Sequence, residues 1–242
     1  MSVVMAESNL AQRLQAGLVA LNLPLDAHQQ QQLLDYIALL DKWNKVYNLT
    51  AVREPERMLG LHILDSLSLV PHLAPVRASD GENGAVRLLD VGTGGGLPGI
   101  CIAIARPDIT VVMLDSLQKK TTFVRQAIGA LGLSNASVVC ERVEAFKPDA
   151  LFDVVTSRAF AELSDFVKGA GHLLAPGGRM LAMKGVYPHD EIARLPGSHT
   201  ARHVIPLGVP EVDAHRHLVV VEAAAEQTHA PVPASIEAKH NA

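Results

Sequence analysis

Residues 88–100 read LLDVGTGGGLPGI, an apolar run holding Asp90 and followed by five glycines between positions 92 and 99. A strand that runs into glycines and then into a helical stretch is built to hold something against exposed backbone amides. Outward from this turn the texture alternates. VRLLDV (86–91), TVVMLD (110–115), SVVC (137–140), FDVVTS (152–157) and GRMLAMKG (178–185) are short β-rich runs, separated by helical stretches at 97–105, 117–131 and 161–175. Strand–helix alternation predicts a doubly wound, mainly parallel sheet. ARHVIPL (201–207) and RHLVVVEA (216–223) lie close together without a helix between them. They predict an antiparallel pair that completes a seven-stranded sheet.

Upstream of residue 76 the chain reads as all helical. Leucines at 10, 14, 18 and 21 fall on one helical face, and Pro24 ends it. Asp26 with Gln29 three residues on predicts a capping box for a helix carrying Leu33, Ile37, Leu40 and Trp43. NLTAVRE (48–54) breaks that helix, and two short ones are expected around 55–60 and 61–70. The expected organisation is a helical cap (1–76), an α/β domain (77–223) opening on the polar linker RASDGENGA (77–85), and a disordered Ala/Pro-rich tail (224–242).

With 48% hydrophobic and 19% charged residues, the 242-residue chain has ample material for a core. Its net charge of −4 gives no bulk electrostatic argument for nucleic acid, so any RNA-binding face must be a local patch. Cys101 and Cys140 lack metal-ligand spacing and read as apolar thiols of a reducing compartment. The N-terminus does not read as a signal peptide and no apolar run reaches membrane-spanning length. A cytoplasmic protein is expected.

The glycine turn has two candidate ligands of weight, a dinucleotide and S-adenosylmethionine. The dinucleotide pattern GxGxxG is met at Gly92 and Gly94 but has Leu97 in its third glycine position. Gly95, Gly96 and Gly99 keep frameshifted versions of the pattern open. Asp90, just before the turn, would repel a pyrophosphate and suits a ligand with a cationic ammonium and sulfonium. Asp115 ends the second strand, where an acid accepts hydrogen bonds from a ribose diol in either kind of site. Read as D-x-G-x-G-x-G, residues 90–96 resemble motif I of class I S-adenosylmethionine-dependent methyltransferases. Val143 and Glu144, after the third strand, are then candidates for adenine contacts.

The fourth strand ends in TSRAF (156–160) rather than in the D/N-P-P-Y/F turn that serves exocyclic amines, and no cysteine is placed for a covalent C5 mechanism. An acceptor with a free lone pair is expected, guanine N7 among them, with no general base required. An oxygen acceptor with a base elsewhere stays open. Arg158 reads equally as a ligand contact and as a structural ion pair.

WNKVYNLTAV (43–52), HILDSL (62–67), LLDVGTGGGLPGI (88–100), MLDS (113–116), SRAF (157–160), MKG (183–185) and RHLVV (216–220) together resemble the ribosomal RNA small-subunit methyltransferase G family, also called glucose-inhibited division protein B. The resemblance covers roughly residues 30–222. It implies methyl transfer from S-adenosylmethionine to guanine N7 at position 527, in the 530 loop of 16S rRNA. It also implies cofactor contacts at Gly92, Leu97, Val143, Glu144 and Arg158, to which Asp90, Gly94 and Asp115 are added on the physical grounds above. Gly95 replaces the Pro or Ala common in relatives, and Met113 their Leu. Neither change removes a needed group.

For RNA the candidates are Lys119, Lys120 and Arg125, clustered after the second strand, and Lys184 at the end of the fifth, with Lys42, Lys45, Arg53 and Arg57 on the cap. Trp43 and Tyr47, one turn apart, read as core rather than as a stacking surface. His215-x-His217 lacks a third ligand, so no metal is expected. The expected partner is 16S rRNA or a 30S particle, met by a monomer that binds no membrane. A small-molecule or protein methyltransferase, a non-catalytic RNA-binding module and an NAD oxidoreductase are the alternatives.

Overall fold

The computed structural model describes residues 2–73, 86–158, 160 and 162–224, with side chains from Asn9 onward. The linker expected at 77–85, and the expected tail beyond Ala224, lie outside the described residues. Seven strands form one sheet: β1 (Arg87–Val91), β2 (Thr110–Asp115), β3 (Ala136–Cys140), β4 (Phe152–Ser157), β5 (Leu174–Lys184), β6 (His199–Pro206) and β7 (His217–Ala223). Their order is β3-β2-β1-β4-β5-β7-β6. The first five are parallel, and β7 runs antiparallel between β5 and β6. The order reverses between β1 and β4, so a crevice opens beyond the carboxyl end of β1, where the glycine turn sits.

The helices are α1 (Ser2–Ala20), α2 (Ala27–Tyr47), α3 (Pro55–Met58), α4 (Asp65–Leu67), α5 (Gly99–Ala105), α6 (Gln118–Leu131), α7 (Leu163–Ala170) and α8 (His189–Ala193). The capping box before α2 is present. Asp26 Oδ1 accepts from the Gln29 amide at 2.8 Å, and Gln29 Oε1 accepts from the Asp26 amide at 3.0 Å. The helix stops at Asn48, whose left-handed φ of 48° suits asparagine.

Three expectations need correction. The two short helices expected after residue 54 are one helical run from 55 to 67, widened over Leu59–Leu64 into a π-turn. The stretch expected to be helical to 175 ends as a 3₁₀ turn at Leu173, and β5 begins at Leu174, four residues early. Tyr47 is 41% exposed, while Trp43 alone of that pair packs inward, against Phe123.

Alternation along the strands divides the core. Leu88 belongs to a cluster with α1, α2, α5 and α6, whereas Leu89 and Val91 belong to one with α7, Phe146 and Phe152. Leu14, Leu18, Leu33, Ile37 and Leu40 thus share one core with the sheet. Each buried side chain of this kind stabilises by roughly 1.5–3 kcal/mol. Polar groups of α2 finish the seam. Gln29 Nε2 donates to Ile104 O at 2.7 Å and Gln32 Nε2 to Leu131 O at 2.7 Å, satisfying carbonyls that α5 and α6 leave open at their ends.

Candidate cofactor cleft and the cavities beside it

The glycine turn holds itself together. Gly92 and Thr93 amides donate to Leu114 O at 2.8 and 3.1 Å, and Gly96 and Leu97 amides to Thr93 O at 2.9 Å. The Gly94 amide donates to Asp115 Oδ2 at 3.0 Å, and the Gly99 amide to Asp90 Oδ2 at 2.9 Å. This corrects the expectation of amides held open for a ligand: six of them already have acceptors. The glycines serve conformation and close approach instead. Gly92, Gly94 and Gly96 have φ of 70°, 60° and 90°. At Gly99 a Cβ would lie 2.5 Å from Met113 Cγ and 2.9 Å from Asp90 Oδ2.

Asp90 is buried beneath the turn. Its Oδ2 also accepts from Thr93 Oγ1 at 2.6 Å, while Oδ1 is buried with no partner among the described residues. Burial pushes its carboxyl up to about 6, against the pull of those hydrogen bonds. From the other side Tyr36, fully buried on α2, donates its hydroxyl to Gly95 O at 2.5 Å. Tyr36 is not among the positions read from the sequence for this helix; only the packing of α2 on the turn reveals what its hydroxyl meets.

Beyond the turn lies a cleft of about 300 Å³. Of the eight expected cofactor residues, Gly92, Asp115, Val143 and Glu144 line it, together with Leu114, Leu117, Lys120, Glu141, Arg142 and Phe160. Asp115 is nearly buried and braces the near wall: Oδ1 accepts from the Leu117 amide at 2.9 Å, and Lys120 Nζ stands 3.5 Å from Oδ2. Gly94 joins the cleft only through Asp115, and Leu97 points into the core.

Arg158 turns elsewhere. Its Nη1 donates to Asp65 Oδ2 at 3.1 Å and to Leu61 O at 3.2 Å, and Arg216 Nε donates to the other oxygen, Asp65 Oδ1, at 2.9 Å. One buried carboxylate on α4 thus ties the ends of β4 and β7 to the N-terminal helices. These groups and His62 line a second cavity of about 450 Å³. His62 Nδ1 faces Leu61 O at 2.9 Å and Nε2 faces Thr50 Oγ1 at 2.7 Å. Carbonyls only accept, so the neutral ring carries its proton on Nδ1 and takes the threonine hydroxyl on Nε2. Burial, aided by the charge of Arg158, lowers His62 to about 4.

The expected RNA residues are not brought together. Lys119 and Arg125 are exposed on α6, while Lys120 faces the cleft. Lys184 is held by Glu191 Oε2 at 2.7 Å and Phe160 O at 3.1 Å. It stands at β5, three strand spacings or roughly 14 Å from β2. Among the described residues no helix is long and apolar enough to cross a membrane, and no group of three His, Cys, Asp or Glu side chains is placed to hold a metal.

The strand order and the cleft beyond β1 and β2 define the fold of class I methyltransferases. Among solved structures the chain is similar to a SAM-dependent methyltransferase from Aquifex aeolicus (TM-score 0.50, 16% identity, covering 69% of this chain and 98% of that one). It is similar also to the mitomycin 7-O-methyltransferase MmcR (TM-score 0.54, 14% identity, 78% and 60%). Within that fold the sequence is more specific. Residues 29–219 match the family GidB, rRNA small subunit methyltransferase G, and the chain belongs to it. Relatives named ribosomal RNA small subunit methyltransferase G are 55% identical in Laribacter hongkongensis (211 residues, 87% of this chain and 97% of the relative) and 56% in Chromobacterium violaceum (206 residues, 85% and 94%).

Proposed function

We propose that this protein transfers a methyl group from S-adenosylmethionine to N7 of the guanine at position 527, in the 530 loop of 16S rRNA. One observation carries the reading: membership of the rRNA small subunit methyltransferase G family, matched over residues 29–219. The geometry supports the cofactor independently. A dinucleotide needs free amides at the glycine turn for its pyrophosphate, and six amides here are already engaged. The cleft walls carry Asp115, Glu141 and Glu144 against Lys120 and Arg142, a balance that disfavours a pyrophosphate and suits a nucleoside bearing positive charge.

Asp115 would receive the ribose, and Val143, Leu117 and Phe160 would face the adenine, with Gly92 at the floor. Asp90, buried with a free carboxylate oxygen, contributes through the shape of the turn and its negative field. When bound, S-adenosylmethionine supplies an electron-poor methyl group on sulfur. Guanine N7 offers its lone pair without losing a proton, so the residues have to position the base and exclude water rather than act as a base. The second cavity, with Arg158, Arg216 and His62, supports placement of the acceptor. We read residues 1–76 as a helical cap over the catalytic unit of 77–223, and the protein as a cytoplasmic monomer needing no metal.

Transfer of labelled methyl from S-adenosylmethionine tests the reading, with unmodified 16S rRNA, 30S subunits, total protein and small-molecule extract offered in parallel. Label is expected in 16S rRNA alone. Label in protein or small molecules would replace the acceptor assigned here.

A further inference from the structure

The β5–α8 loop carries an aromatic surface that neither the glycine turn nor the cap accounts for. Tyr187 is 42% exposed and its neighbour Val186 79% exposed, in a loop whose other residues are Gly185 and the buried Pro188. The Tyr187 ring lies 4.1 Å from that of His189 at an interplanar angle of 33°. It meets His217 edge-on at 5.6 Å, and His217 in turn lies 6.5 Å from His215, nearly parallel at 29°. Two sequence-distant segments thus form one row of four rings.

The row is held in place before any partner arrives. His217 Nδ1–H donates to Gly185 O at 3.0 Å, fixing the loop to β7, and the His189 amide donates to Tyr187 O at 3.1 Å. Lys184 and Glu191 brace the two ends of the loop at 2.7 Å. It also stands in the right place. Lys184 and His217 are register partners at the end of β5, the carboxyl edge on which the cleft opens. Tyr187 and His189 line a cavity of about 730 Å³ together with Phe160, which lines the cofactor cleft as well.

We propose that the row His189–Tyr187–His217–His215 is a stacking platform for bases of single-stranded RNA that flank the methylated guanine; this rests on the methyltransferase reading above. Ring faces accept any base, which suits a loop whose nucleotides must be splayed apart to present one of them. Arg158 and Arg194 border the same cavity but are paired with Asp65 and Glu162, and with Lys184 they balance the lining carboxylates of Glu162, Asp190 and Glu191, so the rings rather than net charge carry the contact with RNA. For a protein partner the loop offers two adjacent exposed side chains, Val186 and Tyr187, followed in sequence by His189, Asp190 and Glu191, a small apolar patch in a polar setting.

The test compares Tyr187→Ala, Tyr187→Phe and the double variant Tyr187→Ala/His189→Ala, using the full chain with 16S rRNA. Tyr187→Ala is expected to raise the KM for RNA about 5- to 100-fold, the double variant further, and Tyr187→Phe by less than about twofold. The Kd for S-adenosylmethionine and the Tm are expected to stay at wild-type values in all three. In Tyr187→Trp the added indole fluorescence is expected to be quenched by single-stranded RNA and left unchanged by duplex RNA. A KM within twofold of wild type for both alanine variants, or an indole indifferent to single-stranded RNA, overturns the platform. If wild-type protein methylates no RNA, the methyltransferase reading has failed, and filter binding of 16S rRNA to wild type and Tyr187→Ala still decides the platform: equal affinities overturn it.

Discussion

Removing one oxygen atom from α2 tests whether the N-terminal helices shape the cofactor turn or merely cover it. Tyr36 is fully buried, and burial raises its phenol well above the ordinary value, so the hydroxyl is a neutral donor at any working pH. In Tyr36→Phe the ring still fills its site, but the carbonyl of Gly95, also buried, loses its donor. An ordinary hydrogen bond contributes about 0.5–1.5 kcal/mol and a buried acceptor left bare costs about 1–3, part of which is offset because no hydroxyl has to be desolvated. A loss of about 1–2 kcal/mol is expected, and for a chain of this size a Tm lower by about 2–8 °C. Gly95 lies between Gly94, bonded to Asp115, and Gly96, whose added Cβ would lie 3.1 Å from the same hydroxyl. Freeing it loosens the turn behind the proposed cofactor cleft. The Kd for S-adenosylmethionine by calorimetry, well below the Tm, is therefore expected to rise about fivefold, the equivalent of about 1 kcal/mol. A Tm within about 1 °C of wild type with unchanged Kd would mean that the Tyr36 hydroxyl neither stabilises the fold nor shapes the turn. A lower Tm with unchanged Kd would show that the bond stabilises the fold without shaping the site.

Three further substitutions probe the same frame. Gly99→Ala forces a Cβ against Met113 and Asp90 and should destabilise by about 1–3 kcal/mol in urea titrations; Met113→Val in the same chain should restore part of it, and failure to do so would place the strain on Asp90. Asp115→Asn, which cannot accept from both the Gly94 and Leu117 amides in the same way, should weaken S-adenosylmethionine binding at least about tenfold by calorimetry. His62 is held neutral to about 4 in the fold but takes a proton near 6.5 when unfolded, so its contribution to stability falls as pH drops through that window, by about 3 kcal/mol in all. Asp90 works the other way, its raised carboxyl favouring the fold as pH falls from about 6 toward 4. The stability of His62→Gln relative to wild type should therefore rise steadily from pH 6.5 to 4, and a constant difference would contradict the assignment.

What the sequence made legible was what short range decides. The glycine run at 92–99 signalled a turn from strand to helix, Asp26 with Gln29 a helix start, and alternating β-rich runs the parallel sheet. What stayed hidden depends on contacts between distant segments. The engagement of the glycine-turn amides requires Leu114 O and Asp115 to arrive from β2. Arg158 was named as a site residue, yet its carboxylate partner lies 93 positions away on α4, shared with Arg216 at 151. The π-turn at 59–64 and the short α8 carry no periodicity long enough to read. Tyr187 and His189 were invisible as a surface, because His215 and His217, at the distant start of β7, complete the row.

If the proposed function holds, this cleft and its neighbouring cavity deliver a methyl group to one guanine N7. The most direct measurement is methyl transfer from S-adenosylmethionine to 16S rRNA or 30S subunits lacking the modification, followed by reduction and aniline cleavage, which cuts the chain at 7-methylguanine. One cleavage, in the 530 loop, is the predicted result. Cleavage elsewhere, or intact RNA from protein that demonstrably binds S-adenosylmethionine, would contradict the account.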